Sequence, residues 1–232
     1  MKIWTSLCLV AVLASGATVE RQLEHPWGRW QPGAWVETRT STRELPEGLV
    51  ERCQLVGFRP DGVELESTLA SPTGEDVRVG QRQGWAFGGF AHVLPSARRV
   101  GEETLSVEGR PLACEVWEAS WQQEGETFVA RSWLDEGHEL PVRLRVASPK
   151  GGYELTLAKR RDWVRMGERK LPAARYEGNG KSKGSTLRLV QWMSLDVPGG
   201  VLRCETEATQ AGTRTTLVRE VTAFRCEPLA AR

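Results

Sequence analysis

From residue 34 to residue 224, apolar and polar side chains trade places every second position, in short runs separated by Pro, Gly and Asp. Val63, Leu65 and Leu69 fall on one side while Glu64, Glu66 and Thr68 fall on the other, the mark of a strand with one buried face. Val142, Leu144 and Val146 alternate with Arg143 and Arg145. Tyr153, Leu155 and Leu157 repeat the pattern beyond Pro149-Lys150-Gly151-Gly152, which predicts a hairpin. The same reading predicts strands over 34–44, 49–59, 63–69, 75–83, 103–108, 111–121, 127–134, 140–147, 153–163, 172–177, 185–193, 201–208 and 214–224. Residues 178–184 (GNGKSKG) read as a solvated hairpin loop. Almost no segment has helical periodicity. The expected fold class is mainly β: antiparallel meander blocks forming a curved sheet or half-barrel, with little helix.

One stretch breaks the alternation. Residues 84–100 (GWAFGGFAHVLPSARRV) gather glycines, aromatics and a proline, and read as a crossover loop with a short helical turn. A connection of that length is the expected rim of a ligand site, so Trp85, Phe87, Phe90 and His92 are the candidate ligand-binding residues. Residues 1–17 combine Lys2, an apolar run and the small-residue exit Ser15-Gly16-Ala17, the layout of a secretory signal peptide. The expected organisation is a signal peptide at 1–17 and an N-terminal arm at 18–32. A first β block with its crossover follows at 33–100, a second at 101–166 and a third at 167–232, in one domain or more. Blocks two and three look like an internal repeat. Pro111-Leu112-Ala113-Cys114 parallels Leu171-Pro172-Ala173-Ala174, and Ser132-Trp133-Leu134-Asp135 parallels Gln191-Trp192-Met193-Ser194. Leu140-Pro141-Val142-Arg143 parallels Gly200-Val201-Leu202-Arg203.

Export changes how the remaining residues are read. It removes chemistry that needs cytosolic ATP or a reducing buffer. Cys53, Cys114, Cys204 and Cys226 become candidates for one or two disulfides of open pairing, with buried thiols on strands as the other reading. Cys8 lies inside the apolar run and lacks a lipobox. The formal net charge is +1, so no overall field draws the chain to nucleic acid, and no apolar run is long enough for a transmembrane span. Ten Trp stand against two Tyr and five Phe. Such rings suit the seams of a sheet, and they also suit contact with lipid or sugar.

Chemical motifs do not hold up. Gly180-Lys181-Ser182 resembles the end of a phosphate loop, but Arg175 stands where that loop needs glycine. No G-x-S-x-G occurs. Among His25, His92 and His138, His92 in the crossover is the candidate base for a hydrolase with a scattered catalytic set. His138-Glu139 runs into Leu140-Pro141 rather than a zinc-binding helix, so no metal and no cofactor are expected. Asp135, Glu136 and Glu139 surround a turn. The basic stretch Lys159-Arg160-Arg161, Arg165, Arg169 and Lys170 reads as a charged face guarding a sheet edge, or as a site for an anionic envelope lipid or polymer.

The stretch His25-Pro26-Trp27-Gly28-Arg29-Trp30-Gln31-Pro32-Gly33, with Trp35 after it, resembles a family of exported bacterial proteins of unknown function. Their mature region opens on HPWGRF-x-PG. Asp61-Gly62-Val63-Glu64-Leu65, residues 81–84, Gly101-Glu102-Glu103-Thr104-Leu105, Leu112-Ala113-Cys114 and Asp196-Val197-Pro198-Gly199-Gly200-Val201 fit in the same order. The resemblance implies export, to the periplasm or beyond, and no catalytic residues. A Cys strand, a Trp strand and then Pro-Val-Arg also resemble curved-sheet periplasmic proteins such as lipoprotein carriers, though this chain lacks helices to cover a concave face. The expectation is a non-catalytic cell-envelope module that binds an apolar or amphipathic ligand such as an envelope lipid, or an envelope protein. The alternatives are a hydrolase using His92 and a purely structural interaction domain.

Overall fold

The computed structural model describes residues 25–60, 62–70, 77–84, 90–94, 96–123, 125–182 and 184–229. The signal peptide expected at 1–17 lies outside them, as do the start of the arm (18–24), Trp85 and Phe87. Thirteen strands follow in chain order: β1 (Trp35–Thr42), β2 (Leu49–Arg59), β3 (Gly62–Leu69), β4 (Val77–Gly84), β5 (Arg98–Val107), β6 (Arg110–Gln123), β7 (Glu126–Leu134), β8 (Arg143–Ser148), β9 (Gly151–Met166), β10 (Arg169–Ser182), β11 (Ser185–Met193), β12 (Val201–Gln210) and β13 (Thr213–Arg225). They form one antiparallel sheet, curved but not closed into a barrel.

The spatial order is β4-β3-β2-β1-β13-β12-β11-β10-β9-β8-β7-β6-β5. Strands β5 to β13 make one continuous meander, and the first four attach to its far side through β1 and β13. The two edges, β4 and β5, are therefore consecutive in the chain. Twelve spacings of ~4.8 Å would set them roughly 58 Å apart in a flat sheet, and the 14 Cα steps from Gly84 to Arg98 reach roughly 50 Å when straight. The connection forces the sheet to curl. Accordingly β9 touches both β5 and β13, each four strands away.

The curl has a local cause. A Cβ on Gly178 of β10 would sit 1.8 Å from the Glu154 carbonyl oxygen of β9, and one on Gly152 would sit 2.2 Å from the Val146 carbonyl oxygen of β8. Only glycine lets neighbouring backbones come this close. This corrects the loop reading of 178–184: Gly178, Asn179 and Gly180 belong to β10, which pairs with β9 out to Ser182↔Gly151. The expected hairpin across 149–152 forms, with Leu144 opposite Leu155 and Val146 opposite Tyr153.

Register separates two faces. The convex face is laced with ion pairs, among them Arg143–Glu154, Arg52–Glu37 and Arg39–Glu220–Arg203. Arg98 and Arg131 both reach Glu118 and hold its carboxyl below the ordinary range. One arrangement recurs on this face in both later blocks. The Trp133 Nε1–H donates to Glu103 Oε2 at 2.7 Å with the Arg143 guanidinium 5.0 Å from its ring centre. The Trp192 Nε1–H donates to Asp162 Oδ2 at 3.0 Å with Arg203 at 5.9 Å. In each case the carboxylate comes from two strands back and the arginine from the next strand.

The concave face holds the core: Leu55, Leu65, Leu144, Tyr176, Met193 and Leu202 are among its fully buried side chains. The arm closes one end of it. Pro26 and Trp27 lie against the β11–β12 turn, where a Cβ on Gly200 (φ +74°) would meet Pro26 at 2.8 Å and one on Gly199 would meet the Trp27 ring at 3.3 Å. The expected disulfides do not form, and Cys53, Cys114, Cys204 and Cys226 are free thiols. Cys53 on β2 and Cys204 on β12 share the concave face, but β1 and β13 run between them. Burial pushes all four thiols up, that of Cys53 to about 11, which suppresses the reactive thiolate.

Candidate functional site

The described part of the crossover from β4 to β5, residues 90–94, packs on the concave face. Its 3-10 turn, Ala91–Val93, packs on β6 and β7, and the Ala91 N–H donates to Ser132 Oγ at 2.7 Å on the concave face of β7. Phe90, Ala91, Val93 and Leu94 are buried. Phe90 stacks edgewise on His25, with ring centres 6.1 Å apart, and lies 6.0 Å from His92. Two of the four ligand-binding candidates, Phe90 and His92, are thus buried on the concave face, and His92 also lines the cleft beside the β7–β8 connection. In the core on the same face, the Tyr176 hydroxyl donates to the Pro141 carbonyl oxygen at 2.7 Å, and burial pushes its phenol well above its ordinary value.

Beyond this core the concave face becomes a trough. Along β9 burial falls from Leu155 to Tyr153, along β10 from Tyr176 to Gly178 and Gly180, and along β11 from Met193 to Leu189 and Leu187. On the facing wall, Leu55 and Cys53 of β2 are buried, Glu51 is half-buried and Leu49 is 47% exposed. Leu69, Val77 and Val79 are exposed on the same side of β3 and β4, because Leu69 pairs with Val77 and Ser67 with Val79. Trp121 and Phe128 stack at 5.4 Å on the concave side of β6 and β7. These apolar side chains flank a polar spot midway along the trough. There Arg219 Nη2 lies 3.2 Å from Glu51 Oε2, and its Nε–H donates to Thr38 Oγ1 at 3.3 Å. Burial pushes the Tyr153 phenol up to about 12, so it stays a neutral donor at physiological pH.

A second, polar cleft of about 430 Å³ opens beside the β7–β8 connection, lined by Arg29, His92, Glu115, Glu136, His138 and Leu195 among others. Asp135 pairs with Arg160, and Glu139 with Arg29 at 3.5 Å. The Nε2 atom of His138 is buried without a hydrogen-bond partner among the described residues. Burial, reinforced by the Arg160 charge, lowers the His138 pKa. The unfolded chain therefore takes up a proton that the folded chain resists. Stability is full above the unfolded value of about 6.5 and is lost as pH falls from there through the lower folded value. Thermal melts from pH 7.5 to 5 are expected to show this loss, and His138→Gln to flatten that segment; an unchanged pH profile in the variant would remove His138 as its source. Nothing in the sequence beyond a His three residues after Asp135 pointed to this site.

The basic stretch is divided by the structure. Lys159 pairs with Asp162 and Arg160 with Asp135, whereas Arg161, Arg165 and Lys170 stay exposed. Among the described residues no group of three or more His, Cys, Asp or Glu is placed to hold a metal ion, and no helix is long and apolar enough to cross a membrane.

No protein-family model matches the sequence, and no curated protein matches it. Solved structures with a loose likeness of shape include a candidate exported protein with a YmcC-like fold from Bacteroides fragilis. It has 9% identity and a TM-score of 0.39, over 85% of this chain and 97% of that one. A candidate outer membrane lipoprotein-sorting protein domain from Vibrio parahaemolyticus gives 12% identity and 0.44, over 91% of each chain. A candidate lipoprotein from Parabacteroides distasonis gives 12% and 0.31, over 85% and 97%.

Proposed function

We propose that the chain is an exported, non-catalytic envelope module that receives an acyl-chain-bearing, amphipathic ligand in the trough. One observation carries this reading. Apolar side chains that would normally complete a core, Leu49, Leu69, Val77 and Val79 among them, cluster partly open to solvent on the concave face, while much of the convex face carries ion pairs. Burying a methylene gains about 0.8 kcal/mol, so a ten-carbon chain offers roughly 8 kcal/mol before the costs of binding. The Arg219–Glu51–Thr38 spot gives a polar headgroup somewhere to hydrogen-bond.

Titration with dansyl-labelled undecanoic acid tests the reading. The protein is expected to bind the probe saturably, with a blue-shifted emission. Leu189→Arg, which sets a charge inside the trough, and Leu69→Arg at its rim are each expected to weaken binding about tenfold or more. Melting temperatures measured alongside separate lost binding from lost folding. Absence of saturable binding, or equal binding by both folded variants, would sink the ligand reading and favour a protein partner on the same face.

A further inference from the structure

Beyond residue 157 the sheet extends into a two-stranded ribbon. β8 pairs with β9 only as far as Thr156, and β11 with β10 only from Ala174. The ends of β9 and β10 pair only with each other, out to Met166↔Arg169. Alternation gives the ribbon two sides. One side is anchored: Arg160 meets Asp135, Asp162 accepts the Trp192 N–H, Val164 and Leu171 are buried, and Arg169 stacks over Phe224 at 5.6 Å. The other side carries Arg161, Trp163 and Arg165 on β9, with Lys170 paired to Arg165 and Pro172 to Trp163 on β10, all exposed. Trp163 is 62% exposed, the highest value among the large exposed hydrophobic side chains described.

The charge balance here differs from that of much of the convex face, where Arg39, Arg143 and Arg203 each pair with a glutamate. Among the described residues, no ion pair neutralises Arg161, Arg165 or Lys170, and Glu168 at the tip is the acid beside these three cations. An unpaired cationic face alone would serve solubility and has no need of an exposed indole. A Trp set among three cations is the pairing that suits an interface with anionic headgroups, where the indole sits at headgroup level and the cations meet the negative surface.

We propose that the β9–β10 ribbon is a docking element for a bilayer surface bearing anionic phospholipid, with Trp163 entering the headgroup layer and Arg161, Arg165 and Lys170 supplying the attraction. It rests on the ribbon alone and holds whether or not the trough takes a ligand.

Flotation of the purified protein with vesicles is the test. Vesicles of phosphatidylcholine with phosphatidylglycerol are expected to carry the protein up. Vesicles of phosphatidylcholine alone are expected to bind at least tenfold more weakly, and concentrated salt to release the protein. Each cation near the surface is worth about fivefold, so R161Q/R165Q/K170Q is expected to lower partitioning roughly 100-fold with no change in melting temperature. Brominated phosphatidylglycerol is expected to quench part of the tryptophan emission, and Trp163→Phe to remove that part. The trough variant Leu189→Arg should still float. Failure to bind anionic vesicles, undiminished binding by the triple variant, or quenching that survives Trp163→Phe would each overturn the proposal. So would equal binding to soluble polyphosphate with no vesicle-dependent quenching, which would assign the patch to a polyanion in solution.

Discussion

Gly178→Val is expected to prevent the native sheet from forming. Its Cβ would lie 1.8 Å from the Glu154 carbonyl oxygen and 2.9 Å from the Leu155 Cα, both backbone atoms of a paired strand that cannot swing aside. Relief requires β9 and β10 to separate at this contact. We expect a loss of about 4 kcal/mol or more, enough to leave little folded protein given total stabilities of about 5–15 kcal/mol. Gly101→Val on β5 is the matched control, because a Cβ there meets nothing within 4 Å and valine suits a strand. It is expected to melt within a degree or two of the parent. Soluble yield, far-ultraviolet circular dichroism and thermal melting measure both. A Gly178→Val protein that melts like the parent would mean the curl does not originate at this contact.

Tyr176→Ala is the second large effect. The side chain is fully buried in the core of the concave face, and its hydroxyl donates to the Pro141 carbonyl. Removing the ring leaves a cavity there and an orphaned carbonyl, together worth about 4–6 kcal/mol. For a domain of this size that is a fall in melting temperature of roughly 10–20 °C. Tyr176→Phe keeps the ring and isolates the hydrogen bond, with an expected cost of about 1–2 kcal/mol. Equal losses in the two variants would show that the hydroxyl, not the packing, holds this layer together.

The strands were legible because their period is local. The expected runs over 49–59 and 185–193 coincide with β2 and β11, and 63–69 differs from β3 by one residue. What the period does not encode is partner choice. Nothing in the alternation of 34–44 shows that β1 pairs with β13, some 180 residues away, rather than with its own block's edge. Gly178 and Gly180 misled for a related reason: glycine marks both a turn and a close backbone approach, and only the neighbouring strand distinguishes the two. The arm motif at 25–30 and the Pro198-Gly199-Gly200 turn stood out separately, yet their contact is non-local. The crossover was recognised as special from its composition; its described part, 90–94, is buried on the concave face, with His92 also at the edge of the polar cleft. Trp163 was visible as one of ten tryptophans, but its exposure depends on which side of the β9–β10 ribbon packs inward.

Native mass spectrometry of the protein, purified from its own cells without detergent and run before and after organic extraction, addresses the trough most directly. If the trough is a ligand site, the native mass exceeds that of the polypeptide by one stoichiometric amphiphile. Extraction removes that amphiphile, and Leu189→Arg fails to retain it. A polypeptide mass alone, in protein that still melts cooperatively, would contradict the ligand reading.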